Sequence, residues 1–340
     1  MSVIIIAQRG AVVNAYSGAD SPEVKKHAEN IKTAKNGKKH VDLLSKAAEH
    51  KAESWKISQR LLQIGEKARS ARMKACNEVV EIGICPCCGK QRILNSHLCR
   101  DRLCPTCGYL LSVKRYNEMI AALEHIDVSA YDWRFMTLTV KNCTPTSLEE
   151  TLSELTKGWD RFLKARHIKA NIKGVARSIE ITYNRDTGEF HPHMHVLTAF
   201  KRGTALSALQ LGFFWRQAMH LNYRPIVDIE EPYCTAEKTD PLAAAIVESF
   251  KYAVKSKQVA DMPLSSFAAL TSAIKNKRLI SYTGIIQKAR RELGIKNDDR
   301  ADTEVDNRAP TCCGKVLTLA AARWSFTDEQ YHIIEQQIQA

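Results

Sequence analysis

Val175-Ala-Arg-Ser-Ile-Glu180-Ile-Thr-Tyr-Asn184, then Arg185-Asp-Thr-Gly188, then His193-Met-His195-Val-Leu-Thr-Ala-Phe200 read as strand, tight turn and strand, with His191-Pro192 just before the second strand. β-branched and aromatic residues fill both runs, and the Asp-Thr-Gly turn joins them as a hairpin. Alternate side chains of a strand share a face. His193 and His195 therefore project together, and Met194 points the other way into the core. Two imidazoles at this spacing can hold one divalent ion. His191 is a possible third, although Pro192 can bend the chain and turn it aside. A lone histidine is ordinarily a satisfied core or surface residue, but three alternating within five positions favour a metal. Glu180 sits across the hairpin, and its acidic oxygen suits Mg²⁺ or Mn²⁺ better than an all-nitrogen set would.

Outward from the hairpin, Arg134–Val140 alternates like another strand. Leu148–Lys164 carries a helical stripe of Leu152, Leu155, Trp159, Phe162 and Leu163, which reads as core. Ala205–Leu221, Pro241–Val254 and Leu111–Glu124 are helix-like. Val24–Val80 reads as one or two helices with a basic face, broken near Asn36-Gly37. Residues 298–306 form an acidic loop or linker, and the chain after Lys255 is mixed. This order predicts an α+β fold with a largely antiparallel sheet. Four consecutive segments are expected: a basic helical N-terminal region (1–80), a Cys-rich module (81–110), the domain carrying the histidines (111–260) and a C-terminal region of unassigned role (261–340).

Six of the eleven cysteines fall between Cys85 and Cys107. Cys85-Pro-Cys-Cys88 and Cys104-Pro-Thr-Cys107 each hold a C-x2-C pair, with fifteen residues between them. Clustering this tight in a chain without a signal peptide points to zinc rather than disulfides. The expected ligands are Cys85, Cys88, Cys104 and Cys107; Cys99 is an alternative, and Cys87 competes with Cys88. Four thiolates close the coordination sphere, so the zinc would be structural. Arg100 and Arg102 beside it suit phosphate contacts, and an ordinary solvated surface is the competing reading.

The 340 residues carry a formal net charge of +13. Such a balance favours an anionic partner, nucleic acid first among them, though acidic proteins or membranes also fit. The apolar run Val3–Ala7 is too short for a signal-peptide core, and no run approaches the ~20 residues of a membrane helix. A cytoplasmic protein with no membrane partner is expected. Glu248 and Tyr252 stand four apart in a helix-like stretch and so share a face. A phenol of pKa near 10 needs activation to act as a nucleophile, which nearby Lys251 or Lys255 and a metal could supply. Alone, this spacing is common by chance.

Four segments in this order resemble the rolling-circle replication initiators of small bacterial plasmids, within the HUH endonuclease superfamily. They are Cys99-Arg-Asp-Arg-Leu-Cys104-Pro-Thr-Cys107, Phe135-Met-Thr-Leu-Thr-Val-Lys-Asn142, His191–Leu197 and Glu248–Lys255, with Trp159 and Glu180 as further landmarks. The likeness spans roughly residues 76–256. It implies a nuclease domain with a ferredoxin- or RRM-like palm, with His193 and His195 binding the catalytic ion. It also implies that Tyr252 attacks a phosphodiester of the plasmid origin, single-stranded or in a hairpin, leaving a 5′-phosphotyrosine and a free 3′-OH. Glu248 resembles the acid that activates water for the terminating cleavage. A host helicase and DNA polymerase are implied as partners. The competing readings are a relaxase or single-strand transposase of the same superfamily, a non-catalytic zinc-ribbon DNA-binding regulator, and a small-molecule metallohydrolase.

Overall fold

The computed structural model describes residues 43–87, 89, 91–232, 242, 245–246, 256–296 and 317–337. They form two compact units that interleave along the sequence, unlike the four consecutive segments expected. One comprises described residues up to Ala52, Ala75–Leu98 and those beyond Thr303; the other comprises Glu53–Lys74 and Cys99 onward to Asp302. Interleaving follows from strand pairing, which joins residues far apart in sequence.

Two helices come first, α1 (Leu43–Gln63) and α2 (Lys67–Ala75). The helical reading extended to Val80, but the chain leaves the helix after Ala75. Asn77 takes a left-handed φ of 55°, and Val79-Val-Glu-Ile then alternates as a strand. The first unit contains a four-stranded antiparallel sheet in the order β2-β1-β8-β9. Its strands are β1 (Val79–Ile84), β2 (Gln91–Ser96), β8 (Thr318–Trp324) and β9 (Tyr331–Gln337). Val80 and Ile82 point inward against Leu44, Ala320 and Ala322, while Glu81 faces out.

The second unit holds a five-stranded antiparallel sheet, in agreement with the fold class expected. Its order is β6-β3-β5-β4-β7. The strands are β3 (Tyr131–Thr139), β4 (Ile172–Tyr183), β5 (Phe190–Lys201), β6 (Val227–Glu230) and β7 (Ile280–Thr283). The predicted hairpin is β4–β5, both strands longer than their alternation suggested because each is buried along most of its length. The central position of β5 gives it a partner on each side: Thr139 faces His193 on β3, and Glu180 faces His193 on β4.

Both faces of this sheet are covered. On the histidine face, Trp133, Phe135, Ala176, Leu197 and Ala199 pack with Met119 and Leu123 of α3 (Pro105–Glu124), with Ile286 of α9 (Gly284–Glu292), and with Ile246. On the other face Met194 and Val196 are fully buried. There Leu152, Leu155, Trp159 and Phe162 of α4 (Leu148–Lys164) are buried as expected, Leu163 only half-buried, and Trp159 lies 5.8 Å from the buried Arg177 guanidinium. A short α5 (Arg166–Asn171) leads into β4, and α6 (Ala208–Ala218) begins at Ser207 with a capping box closed by Gln210. Further on, α7 (Ser256–Asp261) and α8 (Leu264–Ala273) precede β7. The C-terminal stretch that read as mixed thus supplies strands to both sheets.

Gly284 makes the β7–α9 junction possible. Its φ is +60°, and a Cβ there would stand 1.9 Å from the Lys173 carbonyl oxygen. Only glycine fits so close to a neighbouring backbone. The expected loop at 298–306 and the helix break near Asn36-Gly37 lie outside the described residues, as does most of Pro241–Val254, of which Leu242, Ala245 and Ile246 are helical.

Candidate metal centre

The antiparallel register fixes the chemistry at the sheet centre. Because His193 lies opposite Glu180 and His195 opposite Ser178, the two imidazoles and the carboxylate converge on one face. The Nε2 atoms of His193 and His195 are 3.1 Å apart. Glu180 Oε2 is 3.2 Å from His195 Nε2 and 3.6 Å from His193 Nε2. A point equidistant from three atoms at these separations lies about 1.9 Å from each. An ion lifted slightly off their plane meets the ~2.0–2.2 Å bonds of a divalent metal to nitrogen and oxygen. The residues present therefore fit a divalent cation.

Each imidazole is oriented through its other nitrogen. His193 Nδ1–H donates to the His191 carbonyl at 3.2 Å. His195 Nδ1–H donates to Thr137 Oγ1 at 3.3 Å, and the His195 ring stacks on Phe135 with centroids 5.5 Å apart. These contacts turn both Nε2 atoms toward Glu180, the orientation a metal requires of its histidine ligands. Burial by itself would raise the Glu180 carboxyl. Hydrogen bonds and charge from His193 and His195 overcome that effect and hold it far below the usual carboxylate range.

His191 stands apart from this trio. Its Nδ1–H donates to Asn142 Oδ1 at 2.9 Å, while its ring stacks beside that of His193. Burial, and then the neighbouring His193 charge, lower its pKa. Thr137, Phe135 and Asn142 were not singled out by the sequence reading as supports of the histidines. Their signal was present in Phe135-Met-Thr-Leu-Thr-Val-Lys-Asn142, whose alternation puts Phe135, Thr137 and Thr139 on one face. Glu248, Lys251, Tyr252 and Lys255 lie outside the described residues.

Within the same unit, Cys99, Cys104 and Cys107 bring their sulfurs together, all within 4.8 Å. Cys99 and Cys107 are 3.7 Å apart, matching the ~3.8 Å edge of a tetrahedron with 2.3 Å Zn–S bonds. Pro105 opens α3, so Cys104 stands at its N-cap and Cys107 in its first turn. Arg69 braces the preceding loop by gripping both Asp101 oxygens, at 2.8 and 3.1 Å. The Arg100 backbone N–H donates to Cys107 Sγ at 3.3 Å, and its side chain is exposed. Arg102 instead donates to the carbonyls of Ile274 and Lys277, so its guanidinium braces the end of α8. Cys99 is thus the partner of Cys104 and Cys107. Cys85 belongs to the other unit, where it is buried against Leu94 and Leu317. The spacing of the two C-x2-C pairs could not reveal that their chains belong to different units. Cys88 lies outside the described residues.

Fold and site together define an α+β protein whose central antiparallel strand and its neighbour bring two histidines and a glutamate to spacings that fit a divalent cation. A family model described as "Replication protein" matches residues 90–332. The chain belongs to this family of replication proteins, the rolling-circle initiators of plasmids. It is 29% identical over 260 residues to "Protein rep" of Bacillus amyloliquefaciens, covering 70% of this chain and 76% of that one. It is 28% identical over 298 residues to "Protein rep" of Lentilactobacillus hilgardii, covering 84% and 94% respectively. A "Replication protein" of Staphylococcus aureus is 29% identical over 217 residues, 60% of this chain and 91% of that one. No solved structure matches the chain. No helix among the described residues is long and apolar enough to cross a membrane.

Proposed function

We propose that this replication initiator opens its plasmid origin by HUH-type tyrosine attack on single-stranded or hairpin DNA. The observation that carries the reading is the convergence of His193 Nε2, His195 Nε2 and Glu180 Oε2 at cation-binding distances. Mg²⁺ or Mn²⁺ bound there would neutralise a phosphate oxygen and polarise the phosphorus for attack. Tyr252 is the nucleophile: its phenolic oxygen forms the new P–O bond, and the bond from phosphorus to the 3′ oxygen breaks. That oxygen takes up a proton and becomes the 3′-OH that a host polymerase extends behind a helicase. The 5′ phosphate stays esterified to Tyr252. Glu248 accepts a proton from water in the terminating cleavage, so one tyrosine per chain suffices. Lys251 and Lys255 offset phosphate charge beside it.

The anchoring of Ile246 supports this assignment. It is fully buried in the cluster that contains Phe135, and Phe135 stacks on His195. Tyr252 is six residues further along the chain. Cys99, Cys104 and Cys107 hold a structural zinc in this reading, with exposed Arg100 contacting a DNA phosphate nearby. The buried His-Glu pair, which a purely binding protein would have no need to desolvate, favours a nuclease over a non-catalytic regulator.

The test is origin DNA incubated with purified protein and Mn²⁺. Nicking with a covalent protein–DNA adduct is expected, absent in Tyr252→Phe and in His193→Ala/His195→Ala. An adduct that persists in Tyr252→Phe, or undiminished cleavage without both histidines, would overturn the proposal.

A further inference from the structure

On the histidine face of the second unit's sheet, the core covers Phe135, Leu197 and Ala199 but leaves the opposite end open, where Lys141 and Ile226 are exposed. We propose that Lys141 and Ile226 form the subsite for the nucleotide beside the scissile phosphate, Lys141 holding a phosphate and Ile226 a base. This rests on the nicking reading and adds where on the protein the DNA strand runs.

Sheet register places Ile226. Leu138 pairs with Val227, so Ile226 stands opposite Thr139, whose N–H and hydroxyl both donate to the Ile226 carbonyl, at 3.2 and 2.8 Å. Thr139 in turn lies opposite His193, and His193 opposite Glu180. Directly opposed residues share a face of a sheet. Ile226, Thr139, His193 and Glu180 therefore form one row across the face that carries the metal ligands. Two strand spacings put Ile226 about 10 Å from His193 along that row, a short reach for an extended DNA strand. Ile226 is 76% exposed there, and a base lying over it removes that apolar surface from water.

Lys141 lies two residues beyond Thr139. Its backbone N–H donates to the Tyr223 hydroxyl at 2.9 Å, and its ammonium stands 4.5 Å from the centre of the Tyr223 ring. Tyr223 thus holds both the backbone and the cation of Lys141 and positions the charge. The neighbouring Asn142 is already taken by His191 and Glu189. Among the described residues no carboxylate pairs with Lys141, so its charge is available to an anion from outside.

The same edge of the sheet sets the direction of the strand. Asp228 opposes Thr137 and Glu230 opposes Phe135, so two exposed carboxylates stand on this face further along β6. Their charge repels phosphate, and the DNA passes on the Lys141 side.

Fluorescence anisotropy of labelled oligothymidine in EDTA reads the subsite without metal or cleavage. Lys141→Ala should weaken binding about tenfold and flatten the log–log salt slope by about 0.7, the single-strand value for one phosphate. Lys141→Arg should keep the slope, and Ile226→Ser should lose affinity with the slope of the parent. An unchanged slope in Lys141→Ala, or parental affinity in Ile226→Ser, would overturn the proposal. Placement is read on origin strands carrying one uncharged methylphosphonate. Neutralising a phosphate next to the nick should weaken the parent and cost Lys141→Ala nothing further; additive losses at every position flanking the nick would sink the placement. Absence of nicking by the parent, with the slope change intact, would overturn the tyrosine chemistry alone.

Discussion

Glu180 illustrates how one residue's chemistry is set by its neighbours. Burial opposes its charge, and the two imidazoles restore it, so the carboxylate is ionised where a cation needs it. Thr137 has the complementary task of fixing the His195 tautomer through Nδ1. Thr137→Val keeps the shape and removes that acceptor. We expect Mn²⁺ affinity to fall about tenfold, the usual cost of losing such a support, with little change in the metal-free melting temperature. The Mn²⁺-induced rise in melting temperature reads this directly. Glu180→Gln removes a charged ligand and should lose more; equal affinity in both variants and the parent would remove these residues from the site.

Among the elements, β9 shows what a single buried group contributes at a strand end. The Tyr331 hydroxyl donates to the Asn77 carbonyl and accepts from the Asn77 side-chain amide at 2.7 Å. Burial raises this phenol well above its ordinary value. A raised folded-state pKa gives stability that is complete below the unfolded pKa near 10 and is lost as pH rises beyond it. Denaturant midpoints measured from pH 8 to 11 should therefore fall more steeply for the parent than for Tyr331→Phe. At pH 8 the variant should be less stable by roughly 1–3 kcal/mol, because the Asn77 groups lose their partner. Parallel pH profiles for the two proteins would contradict this account. The central strand β5 shows the other lesson at this scale. Its odd-numbered residues supply His193 and His195 and then Leu197 and Ala199 to the core, so one face serves both chemistry and packing.

For the molecule as a whole, the +13 charge is the property that bears on its DNA. Binding to an origin single strand should weaken steeply with salt, with a log–log slope of about −4 if some six phosphates are neutralised. Titration by fluorescence anisotropy at several salt concentrations measures it, and a slope near zero would mean the basic balance serves something else. Much of the fold was legible locally. Alternation marked β3, β4 and β5, the apolar stripe marked α4, and the turn after Asn184 made Glu180 face the histidines, because a hairpin's register is set by its own turn. Short β1, β2 and β6 to β9 were not legible, since four to seven residues carry little periodic signal and their partners lie far away. The sequence by itself determined that His193 and His195 share a face and that six cysteines cluster within two C-x2-C pairs and the stretch between them. Only the tertiary structure decided that Thr137, 58 residues from His195, would orient it, and that Cys99 would bring its sulfur beside those of Cys104 and Cys107. Those choices depend on which distant strands and loops meet, and spacing along the chain cannot express that.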